Sequence, residues 1–428
     1  MEPRLQRRWV QLVASHMNVV QAVAAGIHAL PGAGQAFAAT QAAWRFWANP
    51  RVTLPALVEP LREAGRAAAA QSASPYALLI HDWSKIDCAS HRSKSDVTQL
   101  SHHLDHGYEL ATVLLVDAHD GAPLAPMGIR LRAADGDHTS EASSVEPVTP
   151  HLDQILPWMC KTDDWRLDRI AVHVIDREAD SLKHLRAWDA EGRLFLVRAN
   201  DRRTTFRGQS QLFSQITATL SRENAFTFTR DVELRGRRGR QFVAETEIVL
   251  SEPAWTRTAN GQKARVYGEP LSVRLVVAQV RDQQGTVLSE WWLLTNVSGA
   301  PADQIALWYY WRWRIESFHK LLKSSGLELE EWRQESAAAI AKRLLVACMT
   351  CVTAWRIERL ESPEAKECQK FLVRLSGRQT KRQRPITTPA LLAGLHQLLT
   401  TLAILDHYSL EQIRKFAALS LPAFRPSG

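Results

Sequence analysis

The chain has 428 residues, 45% hydrophobic and 23% charged, which excludes a disordered chain and favours two or three folded domains. A formal net charge of +8 and a pI near 9.4 suit a polyanionic partner, either nucleic acid or an acidic membrane surface. Five cysteines at 88, 160, 348, 351 and 368 are odd in number and scattered, which excludes a disulfide framework; they read as buried thiols of a reduced compartment.

At the amino terminus basic residues precede apolar ones. Ser15, His16, Asn18 and Gln21 interrupt the apolar run at helical spacing, so an amphipathic helix is expected rather than a leader. No later stretch approaches an uninterrupted apolar span of about 20 residues, and a soluble, cytoplasmic protein without membrane attachment is expected. Residues 1–66 read as three or four short helices, broken at "LPGAG" (30–34) and "NPRVTLP" (49–55). Arg4, Arg7, Arg8, Arg45, Arg51, Arg62 and Arg66 make this segment basic, as either a DNA-gripping bundle or a helical cap with a solvated face. "RAAAAQSASP" (66–75) marks a boundary.

Two short β-rich runs follow, "YALLIHD" (76–82) and "RIAVHVID" (169–176), each ending on an aspartate. Between them "YELATVLLVDA" and "PLAPMGIRLRAA" are separated by "HDGA", a hairpin signature. "TSEASSVEPVTP" (139–150) reads as a loop into a helix, and "RLFLVRAN" (193–200) as a further strand. Residues 200–295 alternate as antiparallel strands, with "RGRRGR" (235–240) at a turn suited to backbone phosphate. Helices dominate thereafter, and "AKRLLVACMTCVTAW" carries a lone C-x-x-C on one of them. "SHHLDHGY" (101–108) is a loop whose histidines could bind zinc or simply face solvent.

The stretch "LWYYWRWRIESFHKLLKSSG" (307–326) combines tryptophans with bases around a single carboxylate. At about 100° per residue, Tyr309, Arg312, Glu316, Lys320 and Lys323 share one face of a continuous helix, while Trp308, Trp311, Ile315, Phe318 and Leu322 share another. The apolar face should bury. The other either makes an ordinary Glu316–Lys320 surface pair or contributes one carboxylate to a site. Asp82 and Asp176, each read at the end of a buried strand, favour the second. Three carboxylates could converge on two divalent cations for phosphodiester chemistry, with neighbouring cations facing phosphates.

Tyr309-x2-Arg312-x3-Glu316-x6-Lys323 resembles the Y-R-E-K signature of bacterial insertion-sequence transposases, the insertion-sequence-four family, and "WRWRIESFHK" resembles its hairpin-forming branch. "VIDREAD" (174–180) is similar to the family's second-aspartate segment, which selects Asp176 over Glu178 or Asp180. "LLIHDWSKID" (78–87) is similar to the first, which selects Asp82 over Asp87. "AAWRFWANPRVT" (42–53) resembles an N-terminal family stretch, whereas the region after about 365 matches less well.

The resemblance implies an α/β fold with an RNase H-like catalytic core: a mixed sheet flanked by helices, interrupted by an antiparallel β insertion. It implies a division into 1–70 (helical, DNA-end-binding), 71–200 (first part of the core), 201–298 (β-rich insertion), 299–364 (core helices) and 365–428 (helical, for dimerisation). Asp82, Asp176 and Glu316 would be catalytic and would hold two Mg2+ ions, replaceable by Mn2+. Arg198, Tyr309, Arg312, Lys320 and Lys323 would contact DNA, and Trp291, with Trp292 as the alternative, would stack on a flipped base. The implied function is cut-and-paste transposition by a homodimer on double-stranded DNA, at inverted repeats and target, with a DNA hairpin as intermediate. The alternatives are an inactive end-binding repressor and an RNase H-like structure-specific nuclease.

Overall fold

The computed structural model of the chain describes residues 2–17, 33–234, 236–257, 262–323, 326–377 and 386–420. Three helices come first: α1 (Pro3–Met17), α2 (Ala33–Ala48) and α3 (Leu54–Ala70). The break at "NPRVTLP" lies between α2 and α3, where the Thr53 side chain accepts from the Ala56 N–H and a proline occupies the first turn. The expected break at "LPGAG" lies mostly outside the described residues.

The next segment holds β1 (Tyr76–Asp87), β2 (Thr98–Gln99), β3 (His106–Asp117), β4 (Pro123–Ala133), β5 (Gly136–Thr139), α4 (His151–Lys161), β6 (Ile170–Ile175), α5 (Leu182–Ala190) and β7 (Leu194–Ala199). β1, β3 and β4 form an antiparallel meander, and the "HDGA" turn between β3 and β4 places Gly121 at φ +72°. β6 runs parallel to β1, and β7 parallel to β6.

There follow β8 (Arg203–Phe206), β9 (Gln209–Leu212), α6 (Phe213–Arg222), β10 (Thr227–Leu234), β11 (Arg237–Leu250), β12 (Ala254–Arg257), β13 (Lys263–Val266), β14 (Leu271–Arg281) and β15 (Val287–Thr295). These strands do not form a sheet apart. β15 pairs with β7, and the order β5-β4-β3-β1-β6-β7-β15-β14-β11-β8-β9 runs through one mixed sheet, with β2 on β3 and β10 on β11. The small β12–β13 ribbon pairs only with itself. Helix α6 breaks the expected run of strands. Its buried Phe213, Ile216, Thr217 and Leu220 recur at helical spacing, a period visible in the sequence.

The chain continues with α7 (Ala302–Trp311), α8 (Trp313–Lys323), α9 (Ala337–Arg359), α10 (Pro363–Leu375), α11 (Thr388–Leu405) and α12 (Leu410–Ser420). The larger apolar cluster joins α1–α3, strands β1, β3 and β4, and α7–α9; a second joins α4–α6 to β7, β11 and β14. Helix α9 has the length and apolarity of a membrane span, contrary to the reading of the sequence. However, 72% of that apolar window is buried inside the fold.

Cys348 and Cys351 point inward from α9, and burial pushes both thiols up, away from the thiolate that redox or metal chemistry needs. Cys88 is also buried. Cys160 and Cys368 are exposed, which corrects the expectation of five buried thiols: each lies on the solvent side of its helix, α4 or α10.

Candidate active site

Ile80 of β1 pairs with Val174 of β6 in parallel register. Two residues further along, Asp82 on β1 therefore stands level with Asp176, just past the end of β6. Asp176 follows the last residue of β6 and accepts the Glu178 N–H at 2.8 Å, capping a single 3-10 turn. Asp82 is not at a strand end. β1 continues beside β3 as far as Asp87, and what stops near Asp82 is its other neighbour, β6. The open flank left by β6 is what gives Asp82 access to the helices. Asp87 instead accepts the Ala89 N–H, and Asp180 is tied to Arg202 and Asn200, so neither shares the Asp82 site.

The continuous helix expected over 307–323 is two helices, α7 and α8, joined at Arg312. There the Arg312 N–H bonds to the Tyr309 carbonyl and the Ile315 N–H to the Arg312 carbonyl, both at 3.1 Å, a local i to i−3 tightening. Trp308 is fully buried and donates its indole N–H to the Ala118 carbonyl at 3.0 Å. Trp311 packs on the Gly121 turn, where a Cβ would stand 2.4 Å from the indole ring. Ile315, Phe318 and Leu322 are buried as the apolar face predicts, but Trp313 is exposed. Tyr309 and Arg312 are also buried, so the opposite face is not one solvated cationic stripe.

Burial of Arg312 carries its guanidinium between two carboxylates. It donates to Glu316 Oε1 at 2.6 Å and lies 3.5 Å from Asp82 Oδ2. Asp82 is pushed up to about 6, first by burial and further by the negative charge of Asp176 and Glu316, against the pull of Arg312 and of the Trp83 N–H. Arg312 thus ties Glu316 to Asp82, and the β1–β6 register brings Asp176 alongside. Burial likewise raises the Tyr309 phenol, in a field to which Arg312, Arg198 and Asp176 contribute.

Trp291 meets Tyr309 edge to face, with ring centroids 5.6 Å apart. Trp292 points to the other side of the sheet, where its N–H bonds to Thr217 at 3.0 Å. Arg198 on β7 pairs with Leu293 of β15, on the same face of the sheet as Trp291. Asp82, Asp176, Glu316, Arg198, Trp291, Tyr309 and Arg312 thus come together. Lys320 is exposed one turn beyond Glu316. Lys323 is drawn aside: its ammonium donates to the Lys85 carbonyl and pairs with Glu330 at 3.3 Å.

Behind the site, on the face of β1 opposite Asp82, His81 Nε2 and His173 Nδ1 are 2.9 Å apart and fully buried. Burial holds His81 down at about 3 and His173 well below its ordinary value, so both are neutral. Sequence reasoning passed over this pair. The signal was one histidine shortly before each aspartate, His81 one residue ahead of Asp82 and His173 three ahead of Asp176.

Among the described residues no group of three or more His, Cys, Asp or Glu side chains converges as a metal cage. The donor set nevertheless suits hard divalent cations. It consists of carboxylates without thiols, and Arg312 is the one cation paired with Asp82 and Glu316 among the described residues. Arg312 would have to release Asp82 or Glu316 for all three to ligate.

A family model described as the transposase DDE domain matches residues 73–352. Among solved structures, a cryo-EM structure of a piggyBac transposase synaptic complex with hairpin DNA aligns with 82% of this chain and 57% of its own, at 7% identity and a TM-score of 0.34. The chain thus spans less than two thirds of that structure, and a superposition that loose carries no argument about fold or activity. No curated protein matches the chain.

Proposed function

Because the chain belongs to the transposase DDE domain family, we propose that it is a cut-and-paste DNA transposase of the insertion-sequence-four type. Asp82, Asp176 and Glu316 are its catalytic carboxylates. The observation that carries this reading is the level placement of Asp82 on β1 and Asp176 just past the end of the parallel neighbour β6, with Arg312 linking Asp82 to Glu316. The order β4-β3-β1-β6-β7, an antiparallel meander followed by two parallel strands, supports an RNase H-like core.

The three carboxylates would hold two divalent cations, Mg2+ by preference, which supply electrostatic stabilisation of a phosphodiester undergoing displacement. The chain's own residues orient the DNA. Arg312, once free of the carboxylates, offers a planar fork for a phosphate, and Tyr309 and Arg198 flank it. Trp291 provides an aromatic platform for an unstacked base, offsetting part of the few kcal/mol that unstacking costs. Lys320 and Lys323 extend the phosphate contacts along α8. One such site serves end cleavage, hairpin formation, hairpin opening and strand transfer, because all are phosphodiester displacements. In this reading residues 1–70 bind the inverted repeats, residues 365–428 pair two copies, and the protein works in the cytoplasm.

The test is cleavage of a supercoiled plasmid carrying the element's native ends, with Mg2+, by wild type and by Glu316→Gln. Hairpin-ended excised fragments from the wild type alone are expected. Tight end binding with no cleavage by either protein would refute the catalytic reading and leave an end-binding repressor. Cleavage of branched or nicked DNA without end preference would leave a structure-specific nuclease.

A further inference from the structure

Arg230 lies on β10, just past the register shift that separates Phe228 from Arg230 in the β10–β11 ladder. Its guanidinium carbon sits 4.6 Å above the ring of Tyr310, the α7 residue next to Tyr309. Its Nε–H donates to Gln241 Oε1 at 2.7 Å, and Gln241 is itself buried. The Nη2 atom is buried without a hydrogen-bond partner, and among the described residues no carboxylate lies within ion-pair distance of Arg230. Burial lowers the pKa of the group, yet only neutral partners hold it.

This is a costly way to place a structural arginine. A half-buried cation without an anion is destabilising unless something negative completes it. Arg130, Arg132, Arg202, Arg274 and Arg312 all reach carboxylates, whereas Arg281 on the neighbouring β14 is held, like Arg230, by a glutamine oxygen and aromatic rings. The stacking ring and the Gln241 carbonyl fix the plane of Arg230; Nη2 is enclosed, so an incoming anion would be met at the Nη1 edge of the fork.

Its position relates it to the site. Gln241 pairs with Val280 on β14, and Ala278, two residues back on the same face, pairs with Trp291. The two strand spacings and one two-residue step put Gln241 roughly 12 Å from Trp291 on that face. At about 3.4 Å of helix axis per nucleotide, this corresponds to three or four nucleotides of one strand.

We propose that Arg230, positioned by Tyr310 and Gln241, is a phosphate-binding residue for duplex DNA, gripping the backbone a few nucleotides from the base platform of Trp291. The inference rests on the transposase reading of that site. Arg230 contributes positioning, not chemistry.

Binding of the wild type, Arg230→Met and Arg230→Lys to an end-bearing duplex is measured by fluorescence anisotropy across a salt series, with thermal melting of each free protein. Arg230→Met should keep or raise the melting temperature, because it removes an unpaired buried charge. It should also lose about tenfold in affinity and flatten the slope of log K against log salt by about one. Arg230→Lys should restore the slope but only part of the affinity, since a point charge replaces the fork. Unchanged affinity and slope for a folded Arg230→Met would overturn the inference while leaving the transposase reading intact. Loss of melting temperature with an unchanged salt slope would make Arg230 a structural residue and overturn it equally. A wild type that binds no duplex at any salt would instead remove the reading on which it rests.

Discussion

Arg312 makes two unequal contacts, 2.6 Å to Glu316 and 3.5 Å to Asp82, and it is the only cation paired with either carboxylate among the described residues. Asp82 is the more enclosed of the two, and its burial outweighs the pull of Arg312 and of the Trp83 N–H. The rise of Asp82 from 3.8 to about 6 is therefore a folding cost, worth about 3 kcal/mol at most. Its folded pKa lies above its unfolded one, so the protein loses stability as pH climbs from about 4 to about 6, and the loss persists above that. In chelating buffer, Asp82→Asn should melt at a higher temperature than the wild type at pH 8, with the advantage fading to nothing by about pH 4. A constant difference between pH 4 and pH 8 in melting scans would mean that Asp82 is not held in its charged form at a cost.

At the scale of elements, α7 is positioned by its tryptophans, and the β3–β4 turn is their receptor. Gly121 holds φ +72° and leaves no room for a Cβ against the Trp311 ring. Gly121→Ala should cost roughly 2–4 kcal/mol by combining left-handed strain with a forced shift of Trp311, and the same shift would displace Tyr309 and Arg312. Urea denaturation followed by tryptophan fluorescence measures the first effect; a change below about 0.5 kcal/mol would show that the turn and α7 are not locked together. Some of this was readable beforehand. The spacing of Tyr309, Arg312, Glu316 and Lys323 is local, and the two aspartates follow apolar runs that any strand reading finds. The joint at Arg312 was not readable, because helix-forming residues flank it and the tightening accompanies contacts to Asp82, 230 residues away in the chain. Whether Trp291 or Trp292 faces the site depends on strand parity, which is fixed only by the register with β7 and β14. Helix α6 was missed although its period lay in plain view, since the strands on either side set the expectation.

On the scale of the whole molecule, the helices before residue 70 share the larger apolar cluster with α9, and Lys342 of α9 donates to the carbonyls of Trp47 and Asn49. The strands from 203 to 295 extend the same sheet that carries the aspartates. Strand β7, "LFLVRA", has β6 on one side and β15 on the other, and its Phe195, Leu196 and Val197 are wholly buried. Excision of 201–298 would strip β15 away and leave a bare, apolar row of unpaired N–H and C=O groups, the form of strand that recruits other chains. Such a deletion should produce light-scattering assemblies on purification, whereas removal of 254–266 alone, whose strands among the described residues pair only with each other, should leave a soluble monodisperse protein. Equal solubility of the two deletions would contradict this. The stretch that reads most like a removable passenger is, on this view, what keeps a sticky template sealed, so lineages of this protein could trim or elaborate its outer ribbon freely but could not shed the stretch as a whole.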